Sequence, residues 1–370
     1  MPHAKDHQRD LVTRQSRARG MMLGLALGET LGAARGRVPD AGPLRAGVAT
    51  QLACFTAEGV IRAQVRGNHK GICYAPGVVL HAYSRWAYLQ GIAAEKMLAR
   101  WQSPGDRPWP DGWLARVPAL AERRGSAPAT VAALSRIDEG EQAMATPSRG
   151  AHALTRSLPV AVTGVGGVAL VDALAGLTHG DPAARGAAVH AALLTRHCLN
   201  HPIPDRTPYA PFDGILGEAL DAGLTALPSE ARSLSEEEHD RLRAAYREAA
   251  AASADPARLT RLAPDATAPS ALLGGIYAAA SFPRPADLRA ALAFAATAPA
   301  GDSVACVTGA LLGAAHGAES LPTDLVARHE LAWVLDTLAR DLVLELDDSP
   351  SGSEYIRGWD PHWWNRYPGW

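Results

Sequence analysis

The sequence has no apolar run long enough to span a membrane, because Gly, Thr or a charge interrupts every candidate. Its first residues, MPHAKDHQRDLVTRQSRARG, hold no apolar core of the kind a secretory leader carries. It has almost no net charge, with 36 basic against 38 acidic residues, so no global field favours nucleic acid or an anionic membrane. Cysteine is sparse: Cys54, Cys73, Cys198 and Cys306 stand at wide spacings with no CxxC pair, which excludes a disulfide framework and leaves reduced, mostly buried thiols. No GxSxG elbow or Walker loop is present, His69, His81 and His201 lack zinc-ligand spacing, and the degenerate GxGxxA in TGVGGVA follows no strand. Alternating runs of β-branched and aromatic residues are nearly missing as well, which excludes a sheet protein. A soluble cytoplasmic protein of all-α fold is the expectation.

Ala and Leu dominate what is there, with Gly and Pro gathered between periodic segments. The periodicity predicts helices over 17–33, 50–66, 76–101, 111–124, 126–139, 160–178, 182–197, 212–225, 235–253, 268–281, 285–297, 303–317 and 322–345. Asp181 before Pro182, and Ser235 with Glu238 three residues on, supply N-caps. Small residues recur at helical spacing in GMMLGLALGETLGA and VTGALLGAAHG, so that helix backbones can approach closely. No composition break divides the chain: residues 1–16 are expected as a flexible lead-in and 17–370 as one compact domain. Two Pro-rich stretches, 103–113 and 200–214, carry aromatics suited to a cleft. The Trp-rich end, GWDPHWWNRYPGW, is too apolar for a free tail and should be pinned across the body or buried in a homo-oligomer interface.

Five segments carry a family resemblance: RGMMLGLALGETLGAARG, TQLACFTAEGVIRAQVRGNHKGIC, SRGAHALTRSLPVAV, LTHGDPAA and GDSVACVTGALLGAAHG. Their order and spacing, with the closing WWNRYPGW, resemble the ADP-ribosylglycohydrolase family over nearly the whole chain. The resemblance implies a compact orthogonal helical bundle with a cleft that holds two Mg2+ ions and hydrolyses the N- or O-glycosidic bond of an ADP-ribosyl group.

Hard cations close together need several carboxylates to offset their mutual repulsion. Here most are gone. Aligned on the helix at TQLACFTAEG, the family's two acids fall on Val48 and Ala49, its leading hydroxyl on Gly47, and only Thr50 is kept. In the second loop the first Asp falls on Ala300, while Asp302 and Ser303 remain; taking Asp302 as the first Asp instead leaves Val304 at the second. One Asp with two neutral hydroxyls suits at most a single, weakly held, mostly hydrated Mg2+. The family's Gly-Asp-Ala is Gly28-Glu29-Thr30, and the two inner glycines of its Ser-Lys-Gly loop have become His152 and Ala153.

The candidate acid/base residues are therefore Glu29, His152 and Asp302, and Thr50, Ser148, Arg149, Arg156, His179 and Ser303 are the candidate substrate-binding residues. Several have a structural alternative. Asp302 at a helix start would serve as an N-cap, Glu29 would form a buried pair with Arg156, and His179 would be a satisfied histidine near a helix end. The expected protein is a repurposed, metal-independent enzyme acting on a small or nucleotide-like ligand, with no resident cofactor. The alternatives are a non-catalytic ADP-ribose-binding protein and, third, a conventional Mg2+-dependent hydrolase.

Overall fold

The computed structural model describes residues 2–102, 108–164, 166–202, 214–231 and 234–369, the side chains of residues 2–9 excepted. Among them are nineteen α-helices and short 3-10 turns, with isolated β-bridges and no strand. Residues 103–107 and 203–213, most of the two Pro-rich stretches expected to edge a cleft, lie outside the described residues.

The centre of the fold follows from glycine spacing. Helix Pro2–Ala33 lies antiparallel to helix Gly301–His316, with Gly20 against Gly313, Gly24 against Gly309, Gly28 against Ala305 and Gly32 against Gly301 and Asp302. A Cβ at Gly24 or Gly309 would run into the facing backbone carbonyl. This i, i+4 ladder sets the helix separation to backbone contact, closer than ordinary packing with side chains between the axes. Its functional consequence is register: it places Glu29, near the end of the first helix, beside Asp302 and Ser303 at the start of the second.

Most predicted helices are present. Helix Val48–Lys70 is longer than expected at both ends, and Glu236–Ala251 carries the full capping box on Ser235 and Glu238. Asp181 accepts from the Ala183 and Ala184 N–H groups to start Pro182–Asn200. Other spans break where the backbone turns. The helix predicted over 76–101 is two, Ala75–Leu89 and Ala94–Trp101, split at Gly91 and Ala93 with φ of 69° and 45°. The span 111–124 holds only a 3-10 turn and Pro118–Ala121, and 322–345 divides into Thr323–Arg328 and Ala332–Asp347. The lead-in is also different from expectation: residues 10–16 belong to the first helix, where Leu11 is buried, Arg14 pairs with Asp347 and Ser16 meets Glu319.

The motif helix keeps its own charges for packing. Glu58 is fully buried between Arg62 and Arg85, and Asp111 pairs with both arginines from the far side. All four cysteines are free, and Cys54, Cys198 and Cys306 are buried. The Trp-rich end is pinned to the body. Trp363 and Tyr367 are buried, Tyr367 donates to Asp341 at 2.6 Å, Arg366 lies over both rings, and Trp364 meets His69 edge-on. No helix among the described residues is long and apolar enough to cross a membrane.

Candidate active site

A cleft of about 630 Å³ opens where these segments converge, lined by Glu29, Thr30, Arg45–Val48, Arg124–Ser126, Gly150–His152, Ala266, Asp302 and Ser303 among others. Isolated bridges hold its loops. Leu44 pairs with His329, which fixes the chain just before Arg45, and Gly150 pairs with Thr267, which fixes the loop carrying His152. Thr146 pairs with His179 in the same manner.

Glu29 is buried, and its carboxylate accepts from the Gly47, Ala49 and Thr50 backbone N–H groups at 3.0, 2.8 and 2.9 Å. These are unsatisfied donors at the start of helix Val48–Lys70, whose N-cap residue, Gly47, has no side chain to offer. A side chain from another helix thus caps this one. Gly47 is required for it, because a Cβ there would overlap the Glu29 carboxylate. Burial pushes the Glu29 carboxyl above the usual range, and the donors from Thr50 and Ala49 oppose that. The expected pairing with Arg156 does not form. Arg156 is enclosed in the core, donates to Thr130 and to the Leu174 carbonyl, and lies over the Tyr83 ring at 4.8 Å.

His152 sits on the first position of the short helix His152–Thr155, partly buried, with no hydrogen-bond partner for its imidazole among the described residues. Burial lowers its pKa to about 4; the Asp302 charge works against that shift and the Arg156 charge adds to it. The ring is neutral at physiological pH. Asp302 lies in the first turn of Gly301–His316 without being its N-cap, which is Ala300; it accepts from the adjacent Ser303 N–H at 2.8 Å. Ser303 lines the cleft beside it.

The remaining expected binding residues stand behind or beside the cleft. Thr50 is fully enclosed, its hydroxyl lying against Glu29 without meeting hydrogen-bond geometry. His179 is buried against Thr178, with its ring behind Gly150 and its pKa lowered by burial to about 2. It supports the loop as a structural histidine. Ser148 caps the Gly150 N–H, and Arg149 is exposed 3.7 Å from Asp181. None of these is among the residues that line the cleft.

Sequence reasoning missed Arg45 and Arg124. Both line the cleft, and neither belongs to a quoted motif, although Arg45 stands only three residues before Val48. Glu330 ties them to one wall: its Oε1 accepts from the Ala46 N–H at 2.8 Å and its Oε2 is 3.3 Å from Arg124 Nη2.

Buried histidines make stability pH-dependent. Burial holds His152, His190 and His329 at about 4 and His179 at about 2, whereas the unfolded chain titrates near 6.5. Between those values the unfolded state binds more protons, so stability rises with pH there and is lost as pH falls below about 6.5. The midpoint of thermal unfolding should drop steadily from pH 7 to pH 5; a flat midpoint would show these rings to be solvated.

The architecture is that of an all-α protein with a cleft at the meeting of helix ends. The sequence profile of the ADP-ribosylglycohydrolase family matches residues 10–351, and the chain belongs to that family. A solved structure described as an ADP-ribosylglycohydrolase-related protein complex superposes with a TM-score of 0.53 at 22% identity, covering 90% of this chain and 99% of that one. It shares the fold. No curated protein matches the chain.

Proposed function

We propose that this family member is a metal-independent enzyme that uses His152 as a general base, with Asp302 as its acidic neighbour, on a small or nucleotide-like substrate. The observation that carries the proposal is a neutral, unbonded imidazole facing a cleft whose donor set does not suit a di-magnesium cage. Val48 and Ala49 offer no ligand atom, and both oxygens of Glu29 are committed to backbone donors. That leaves Asp302 as the cleft carboxylate with free coordinating capacity beside the hydroxyls of Thr30 and Ser303, too little negative charge to hold two divalent cations together. No group of three or more His, Cys, Asp or Glu side chains among the described residues is placed to hold a metal.

In this reading the residues divide by role. His152 accepts a proton from water or a substrate hydroxyl and returns it to the departing group. Asp302 stabilises the imidazolium that forms in between. Glu29, capped over the helix start, is a positioning residue: it fixes the turn at Gly47 and Val48 that forms one wall.

The test is turnover by the purified protein in excess EDTA. ADP-ribosylated arginine and serine peptides and a small-molecule cell extract would be followed by mass spectrometry. Conversion in EDTA that disappears in His152→Ala is the expected result. Conversion only on adding Mg2+, or tight ligand binding with no conversion at all, would overturn the reading.

A further inference from the structure

Two guanidinium groups in the cleft have no part in the proton chemistry. Arg45 is exposed at the cleft, and although its carbonyl accepts from the Thr30 hydroxyl at 2.9 Å, its side chain has no hydrogen-bond or ion-pair partner among the described residues. Arg124 is only 12% exposed; it is held by Glu122 and Glu330, and its Nε is buried without an acceptor. The chain then turns through Gly125 with φ of 64°, and the N–H groups of Gly125 and Ser126 have no acceptor among the described residues. Donors of this kind, two forked cations beside free backbone N–H groups, match an oxyanion.

We infer that Arg45, Arg124 and the Gly125–Ser126 turn form an oxyanion subsite, so that the substrate carries a phosphate or carboxylate group bound there while its reacting atom faces His152 and Asp302. Arg45 is the specificity-determining residue. Its anchored backbone and unpaired guanidinium leave it poised for a ligand, whereas Arg124 also serves the wall through Glu330 and Ala46. The Asp302 carboxylate on another lining segment disfavours binding the anion in the reverse orientation.

The subsite rests on the proposed use of this cleft, but its test does not need turnover. Pyrophosphate and succinate would be titrated separately into the full chain by calorimetry, at low and at 0.5 M salt, with wild type, Arg45→Gln, Arg45→Lys and His152→Ala. Among the described residues the Arg45 side chain makes no hydrogen bond or ion pair and it is exposed, so Arg45→Gln should unfold close to the wild-type temperature, which separates lost binding from lost folding. The expected result is saturable binding of at least one anion. It should weaken at least about tenfold in Arg45→Gln and at high salt, be partly restored in Arg45→Lys, and be unaffected in His152→Ala. Which anion binds tells a phosphate-bearing substrate from a carboxylate-bearing one. Binding of neither, or binding that is equal in wild type and Arg45→Gln, would overturn the subsite. Salt-sensitive, Arg45-dependent binding without turnover would sink only the catalytic reading, and EDTA-resistant turnover indifferent to Arg45→Gln would sink only the subsite.

Discussion

Glu29→Ala should destabilise the protein by roughly 3 kcal/mol or more, because it strands three N–H donors of a buried helix start and leaves a cavity beside them. Gly47, the N-cap residue, has no side chain to substitute. Glu29→Gln should recover part of the loss: one amide oxygen still accepts, while the NH2 group faces a donor. Glu29→Asp should fall short by one methylene. Chemical denaturation of the three variants gives the ranking, and hydrogen exchange at Ala49 and Thr50 locates the damage. A Glu29→Ala protein as stable as wild type would mean that the carboxylate is not the cap of helix Val48–Lys70.

His152→Ala is expected to behave in the opposite way. The imidazole has no hydrogen-bond partner among the described residues, so unfolding should move little, whereas turnover on any compound the wild type converts should fall by about 10²- to 10⁴-fold. The pH profile carries a second signature. With its pKa near 4, the base is already deprotonated at pH 5, so the rate should be flat from about pH 5 upward and decline only below it. A rate that tracks a group titrating near 7, or survives intact in His152→Ala, would assign the base elsewhere.

How far the residues alone lead is clear from these two side chains. The glycines at 20, 24, 28 and 32 announce a close helix contact by spacing, and the partner glycines at 309 and 313 do the same; the ladder they form was legible in outline, and the all-α architecture with it. The reading of Val48 and Ala49 as replaced ligands rests on the helix after them, which keeps its pattern. The role of Glu29 was not, because capping a helix from a different helix depends on register across the Gly28–Ala305 contact, which no local pattern records. Arg156 and His179 sit in motif segments yet point behind the cleft wall, since motif residues also hold up the loops that others line. Arg45 and Arg124 went unnoticed for the converse reason: neither belongs to a motif segment, and what relates them is a long-range tie, Glu330 accepting from the Ala46 N–H and pairing with Arg124.

In the proposed function, side chains carry the proton chemistry of this cleft without a di-metal cage. The most direct measurement is calorimetric titration of Mg2+ into the full-length protein, with Asp302→Ala alongside. The account predicts no saturable binding below the millimolar range and identical traces for the two proteins. Tight binding of two ions that is lost in Asp302→Ala would contradict it and return Mg2+-assisted hydrolysis to this cleft.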